Sequence, residues 1–248
     1  MNRPIQFSIA PFTPAIKWIV IITSACWFGV QLFGESLLKF PLSSYFALVP
    51  AEVLFEFKIW QTLTYMLMHS SQITHILFNM LMLWFFGGEL EQLWGSRRFV
   101  TYYLLTGFGA AIIYCFGMAA YAYFSGDGRN LVIPVVGASG ALYGIMLAYG
   151  ILFGHRTVYF FMIFPMKART FVALMGLIEF ANMVSSQTSG SNVAYLAHLG
   201  GLVSGLAIFW LQSRLKNRDE SKKAGRKSRH LHLVVDNDKK EDGPKYWN

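Results

Sequence analysis

The sequence predicts an all-α, polytopic membrane bundle of six transmembrane helices, and three observations lead there. Of its 248 residues, 54% are hydrophobic and only 14% charged, with a mean hydropathy of +0.42. That is more apolar than a soluble domain carries. The apolar residues also fall in long runs, and a crossing needs roughly 20 of them. Lys and Arg, finally, gather on one side of the arrangement those runs define. Backbone that faces lipid must satisfy its hydrogen bonds internally, so spans of this kind are helices.

The first run, Ile16–Phe33, follows a short N-terminus of residues 1–11. No small-residue cleavage site comes after it, so Trp18–Phe33 reads as a retained anchor rather than a cleaved signal. The next segment, Gly34–Met68, is long for a connector and holds Pro41, Pro50, Phe55, Phe57 and Trp60. Such a composition suits a segment partly embedded in the outer interface. Ile73–Leu93, Phe99–Phe116, Gly140–Leu152, Phe171–Val184 and Val193–Leu211 are the remaining expected spans, the fourth and fifth of the six being short for full crossings. Val158–Phe164, stopped by Pro165, is a further apolar stretch that extends a neighbouring span or lies at the interface. Five or seven crossings stand as alternatives.

Charge placement discriminates among these counts. With six spans and both ends cytoplasmic, Arg3, Lys17, Arg97, Arg98, Arg156, Lys167, Arg169 and every Lys or Arg after Leu211 lie inside. Only Lys39, Lys58 and Arg129 of the 21 lie outside. Seven spans would put the basic tail outside, against the positive-inside rule. One membrane domain, residues 12–213, is therefore expected, followed by a polar and disordered cytoplasmic tail, 214–248. The tail's basic first half either lies on anionic headgroups or serves as an ordinary positive-inside stop. Cys26 and Cys115 both fall in spans and suggest neither a disulfide framework nor a metal cluster.

Three polar elements share one membrane depth. Ser139 stands in Gly137-Ala138-Ser139-Gly140 at the outer end of the fourth span. Alone, such small residues read as helix packing, and Gly140, Gly144 and Ala148 repeat at helical spacing. A catalytic reading needs a base, because a serine hydroxyl is a weak nucleophile without one. His198 is the candidate base, near the start of the last span, which runs in the same direction as the fourth. Gly201 and Gly205 follow it at spacings that let this helix approach a neighbour closely. Ionisable residues within a span are costly and face the bundle interior.

His75 and Asn79, four apart on the second span, share a helical face at the same level. Both side chains donate hydrogen bonds, as stabilising the oxyanion of acyl transfer requires; polar glue between helices is the plainer alternative. Tyr143, one turn after Ser139, is placed to pack under the His198 ring. No carboxylate presents itself as a third member: Glu89 and Glu91 lie at the cytoplasmic end of the second span, and Glu179 lies in the middle of the fifth. The expectation is a Ser–His dyad.

Together these residues resemble the rhomboid family of intramembrane serine proteases, over most of residues 12–213. His75-Ile-Leu-Phe-Asn79 is similar to the family's His-x-x-x-Asn, Gly137-Ala-Ser139-Gly140 to its nucleophile motif, and Ala197-His198-Leu-Gly-Gly201 with Gly205 to its final-helix motif. Phe164-Pro165-Met166-Lys167-Ala168 also looks like a family segment. The resemblance implies Ser139 as nucleophile and His198 as general base, with the Ser139 backbone, His75 and Asn79 forming an oxyanion hole and Gly137 shaping the adjoining loop. It also implies cleavage of single-span membrane protein substrates near the outer face of the lipid bilayer, with no cofactor, metal or nucleic acid. A bacterial plasma membrane is the expected address. A catalytically inactive relative that binds membrane clients is the alternative, and a transporter is a third, which the absence of an internal repeat disfavours.

Three departures from the family pattern stand out. Trp60-Gln61 replaces a common Trp-Arg; His69 lies six residues before His75 instead of five; and Glu91-Gln92-Leu93 lacks a Glu-x-Arg pairing.

Overall fold

The computed structural model describes residues 11–160, 163–185 and 191–228. Helix α1 (Pro14–Cys26) continues as a π-helical segment, Trp27–Leu37. Short helices α2 (Leu42–Phe46), α3 (Pro50–Phe55) and α4 (Gln61–Thr64) occupy the long first connection. Helix α5 (Ile73–Met82) runs through a π-helical turn, Leu83–Gly87, into α6 (Gly88–Trp94). Then come α7 (Ser96–Ser125), α8 (Ser139–Leu152), strands β1 (Thr157–Phe160) and β2 (Phe164–Lys167), α9 (Ala168–Ser185) and α10 (Ser191–Ser228).

Among the described residues, five stretches are long and apolar enough to cross a membrane: Pro14–Glu35, Ile73–Trp94, Ser96–Ser125, Ala168–Ser185 and Tyr195–Leu215. The remaining expected span, α8, has 14 residues and so spans about 20 Å against a hydrocarbon layer of about 30 Å. Ten of those 14 are buried, so other helices rather than lipid surround it and a shorter length is tolerated. The bundle is thus all-α in its membrane part, around one short central helix.

Helix starts explain two polar residues at the far end of the bundle. Pro14 sits in the first turn of α1, where its missing N–H is no loss. The free N–H groups of Ala15 and Ile16 donate to Glu91 at 2.8 and 3.1 Å, and the Thr13 hydroxyl donates to the same carboxylate. Ser96 adds a fourth donor at 2.6 Å. Glu91 therefore caps α1 from α6, without the Arg partner of the family pattern. Gly95, at φ +79°, makes the sharp joint between α6 and α7.

Three boundaries differ from expectation, the first being that of α7, which runs on to Ser125 past the expected Phe116 limit. The apolar stretch after α8 is neither a helix extension nor a span but an antiparallel hairpin, with Thr157 opposite Lys167 and Phe160 opposite Phe164. Its Thr, Val, Tyr and Phe side chains suit a strand, and Pro165 removes a helical N–H. The last helix runs on to Ser228, past the expected Leu211 limit; residues 1–10 and the rest of the tail, 229–248, lie outside the described residues. Among the described residues, those up to Phe209 form one compact unit and those from Trp210 a second.

Small residues bring α7, α8 and α10 together. A Cβ added at Gly201 would stand 1.9 Å from Gly140 O, and one at Gly205 2.7 Å from Gly144 Cα. A Cβ at Gly144 would meet Thr106 at 2.1 Å, and one at Gly140 would meet Ala110 at 3.0 Å. Gly201→Ala is therefore expected to destabilise by about 1–3 kcal/mol through overpacking, read as a lower unfolding temperature in detergent. Gly29→Ala, where a Cβ meets nothing within 4 Å, serves as the near-neutral control.

Candidate active site

Ser139 opens α8, and the chain just before it is held on both sides. Val135 exchanges two backbone hydrogen bonds of 2.9 Å with Leu48 of the first connection. Gly137 N–H donates to Tyr65 O at 3.0 Å. Gly137 has φ +119°, and a Cβ there would lie 2.9 Å from His75 Nε2, so only glycine suits this turn. At the start of a helix, the first N–H groups have no acceptor within it. The first such bond here, Leu142 N–H to Ala138 O at 3.1 Å, leaves the amides of Ser139 and Gly140 as donors at the cavity edge.

His198, on α10, places Nε2 2.8 Å from Ser139 Oγ. Its ring stacks on Tyr143, with centroids 4.5 Å apart and planes 21° from parallel. On the opposite side of the imidazole, Nδ1 lies 3.0 Å from Glu179 Oε2 on α9. The Tyr143 hydroxyl donates to the other oxygen of the same carboxylate.

His75 faces the same space with the opposite polarity. Its Nδ1 accepts from Ser70 N–H at 3.3 Å, and Ser70 Oγ is 3.1 Å away. A ring nitrogen that accepts from an amide carries no proton, so in the neutral ring Nε2 is the N–H, directed towards Gly137. Asn79 donates one amide N–H to His75 O at 2.8 Å, and a side-chain amide has a second. Among the described residues, its Oδ1 is buried without a partner. Ser139, His198, His75 and Asn79 line one cavity of about 340 Å³, with Phe78 and Met82 of α5 among its apolar walls. A hydroxyl against an imidazole acceptor, with N–H donors nearby and little polar surface, is an arrangement suited to acyl transfer.

The chain also resembles known proteins in sequence. A sequence model of the rhomboid domain matches residues 56–215. The chain belongs to the rhomboid family. RHOMBOID-like protein 1 of Arabidopsis thaliana is 32% identical over 163 residues, 65% of this chain and 36% of that protein. The mitochondrial Rhomboid protein 1 of Saccharomyces cerevisiae is 27% identical over 149 residues, 60% of this chain and 41% of that protein. Rhomboid protease GlpG of Serratia proteamaculans is 26% identical over 220 residues, 88% of this chain and 68% of that protein. The chain thus spans about two fifths of the length of the yeast relative and a similar share of a second Arabidopsis one, RHOMBOID-like protein 12, at 43%. Serine proteases that act within membranes are among the members of this family.

Where this rhomboid departs from the family pattern, the structure shows what its residues do. Gln61, in place of the family Arg, is wholly buried. It accepts from Val49 N–H at 3.0 Å and donates to Glu52 at 2.6 Å and to Tyr45 O at 3.4 Å. An uncharged amide therefore anchors the first connection. His69, despite its extra residue of spacing, packs against His75 with ring centroids 5.1 Å apart and is itself fully buried. It backs the His75 ring and does not line the cavity.

Sequence reasoning missed three contributors. Glu179 was passed over as lying mid-span, yet it reaches His198. The signal was there: a carboxylate inside a span is a functional candidate by default. Counting helical rise from the facing ends of α8 and α9, on either side of the hairpin, sets it nearly level with Tyr143. Ser70 and Tyr65 act through a backbone amide and a backbone carbonyl, and no residue pattern announces such contacts.

His69 supplies a pH prediction. Burial, and secondarily His75, hold its imidazole down to about 4, whereas an unfolded histidine titrates near 6.5. Between these values the unfolded chain binds a proton that the folded one does not. Stability is therefore complete above about pH 6.5 and falls, by up to about 1.4 kcal/mol per pH unit, as pH drops towards 4. Unfolding in detergent across that range should show a shallower fall for His69→Gln than for the unmodified protein.

Proposed function

We propose that this rhomboid is an intramembrane serine endopeptidase using Ser139 and His198 to cleave membrane segments of single-span proteins near the outer face of the bilayer. The observation that carries the reading is the 2.8 Å contact between Ser139 Oγ and His198 Nε2 within a largely apolar cavity. His198 takes the hydroxyl proton as Oγ attacks the peptide carbonyl, then returns it to the leaving amine. The negative charge that develops on the carbonyl oxygen meets the Ser139 amide, His75 Nε2–H and the free N–H of Asn79. Water then attacks the acyl-enzyme ester, with His198 again as base, and releases the second product.

The substrate helix unwinds locally at its outer end, because a peptide carbonyl within a helix is shielded by its own hydrogen bond. The protein resides in a bacterial plasma membrane, with both termini cytoplasmic. The distribution of Lys and Arg supports that orientation.

Purified protein in detergent, given a single-span model substrate, is expected to cleave it, and Ser139→Ala to abolish cleavage with an unchanged unfolding temperature. Retained cleavage by Ser139→Ala overturns the reading. A fluorophosphonate probe is expected to label Ser139, and failure to label marks an inactive client binder instead. His75→Ala and Asn79→Ala should each lower kcat by about 100- to 1000-fold, measured against the same substrate.

A further inference from the structure

The buried carboxylate of α9 has no structural task that accounts for all its contacts. Glu179 is 7% exposed and lies within a span of a membrane bundle, where an unpaired carboxylate is costly. Among the described residues its only ion-pair partner is His198. Each oxygen has its own donor: Oε1 takes the Tyr143 hydroxyl, and Oε2 faces His198 Nδ1 at 3.0 Å. Tyr143 in turn stacks on the His198 ring. The three side chains form a closed cycle in which His198 can neither slide off Tyr143 nor rotate without breaking a contact.

Helix packing explains how Glu179 comes to this place. A Cβ at Gly150 of α8 would lie 2.9 Å from Val172 of α9. Two turns along each antiparallel helix from that pair stand Tyr143 and Glu179. Packing would be served by the Tyr143 contact alone. The bond to His198 is additional, and it lies directly across the ring from Ser139.

We propose that Glu179 is a positioning residue for His198, so that the catalytic unit is a Ser139–His198–Glu179 triad inside the membrane. The inference rests on the assignment of Ser139 and His198 above. Its chemistry follows from the donor inventory: an ionised carboxylate only accepts, so His198 Nδ1 must carry the ring proton. Nε2 is then left with its lone pair towards Ser139 Oγ, the tautomer a general base needs. When Nε2 gains the serine proton, the adjacent carboxylate stabilises the imidazolium, and no proton passes to Glu179. A protonated Glu179 would instead donate to Nδ1 and leave the hydrogen on Nε2, the wrong tautomer for attack.

The test compares unmodified protein, Glu179→Gln and Ser139→Ala, reading kcat and KM on the single-span substrate and the rate of fluorophosphonate labelling at Ser139. Glu179→Gln is expected to lower kcat and labelling by at least about 100-fold, with KM within about threefold, while Glu179→Asp recovers part of kcat. Glu179→Gln with kcat and labelling near the unmodified values, while Ser139→Ala is inactive, overturns the positioning role alone. Activity in Ser139→Ala overturns the assignment beneath it. Should Glu179→Gln fail to fold, the histidine 15N spectrum of the unmodified protein decides. A His198 ring protonated on Nδ1 supports the proposal, and one protonated on Nε2 overturns it.

Discussion

The close approach of α8 to α10 is the constraint on which the site depends. Gly140 faces Gly201 and Gly144 faces Gly205 at separations that leave no room for a Cβ. In lipid, helices gain little from burying apolar side chains against each other, and intimate backbone packing takes that role. Tyr102 of α7 reinforces the contact, because its hydroxyl bridges Gly144 O and Gly205 O at 2.9 and 3.0 Å. Ser139 and His198 are each within one turn of these glycines. Their 2.8 Å contact is thus set by the backbones and not by flexible side chains reaching across a gap. Widening the helix pair by the width of a methyl group would break it.

The two cavity-facing histidines illustrate how one side-chain type is given two opposite tasks. Each presents Nε2 to the same cavity, and what Nδ1 meets decides the polarity of that nitrogen. His75 Nδ1 meets an amide N–H of Ser70, a donor, so its Nε2 holds the hydrogen and donates. His198 Nδ1 meets the carboxylate of Glu179, an acceptor, so its Nε2 holds the lone pair and accepts. The same ring presents a hydrogen to the cavity on one helix and a lone pair on the other. Apolar surroundings strengthen both assignments, because a hydrogen bond is electrostatically stronger where the local dielectric is low.

How much of this was legible in the sequence depended on whether the cause was periodic. Gly140 and Gly144, like Gly201 and Gly205, announce a packing face by their spacing of four. His75 and Asn79 share a face for the same reason, and their depth followed from the order of the apolar runs. The hairpin was hidden because Val158–Phe164 is apolar enough to extend a neighbouring span or lie at the interface, and only Pro165 marked a stop. Glu179 was hidden by a different failure. Its level beside Tyr143 emerges only by counting along α8 and α9 from their ends on either side of the hairpin. Gln61 could be flagged as a departure from the family, but its three partners come from tertiary placement of the first connection.

The short central helix gives that first connection its purpose. Ending about 10 Å short of a full crossing, α8 leaves the non-helical residues Val135–Gly137 at a level where lipid would otherwise reach their backbone. A non-helical segment cannot satisfy its own amides, and within a membrane these need protein partners. Leu48 and Tyr65 provide them, and Gln61 secures the chain between by accepting from Val49 N–H. Phe55, Phe57 and Ile59 remain exposed on the same connection, as befits a segment lying in the interface. The connection therefore shields and shapes the turn that carries Ser139. Its anchorage by buried hydrogen bonds keeps Gly137 at φ +119° against His75. Damage to the Gln61 anchorage would reach Ser139 through backbone geometry, without altering a residue that lines the cavity.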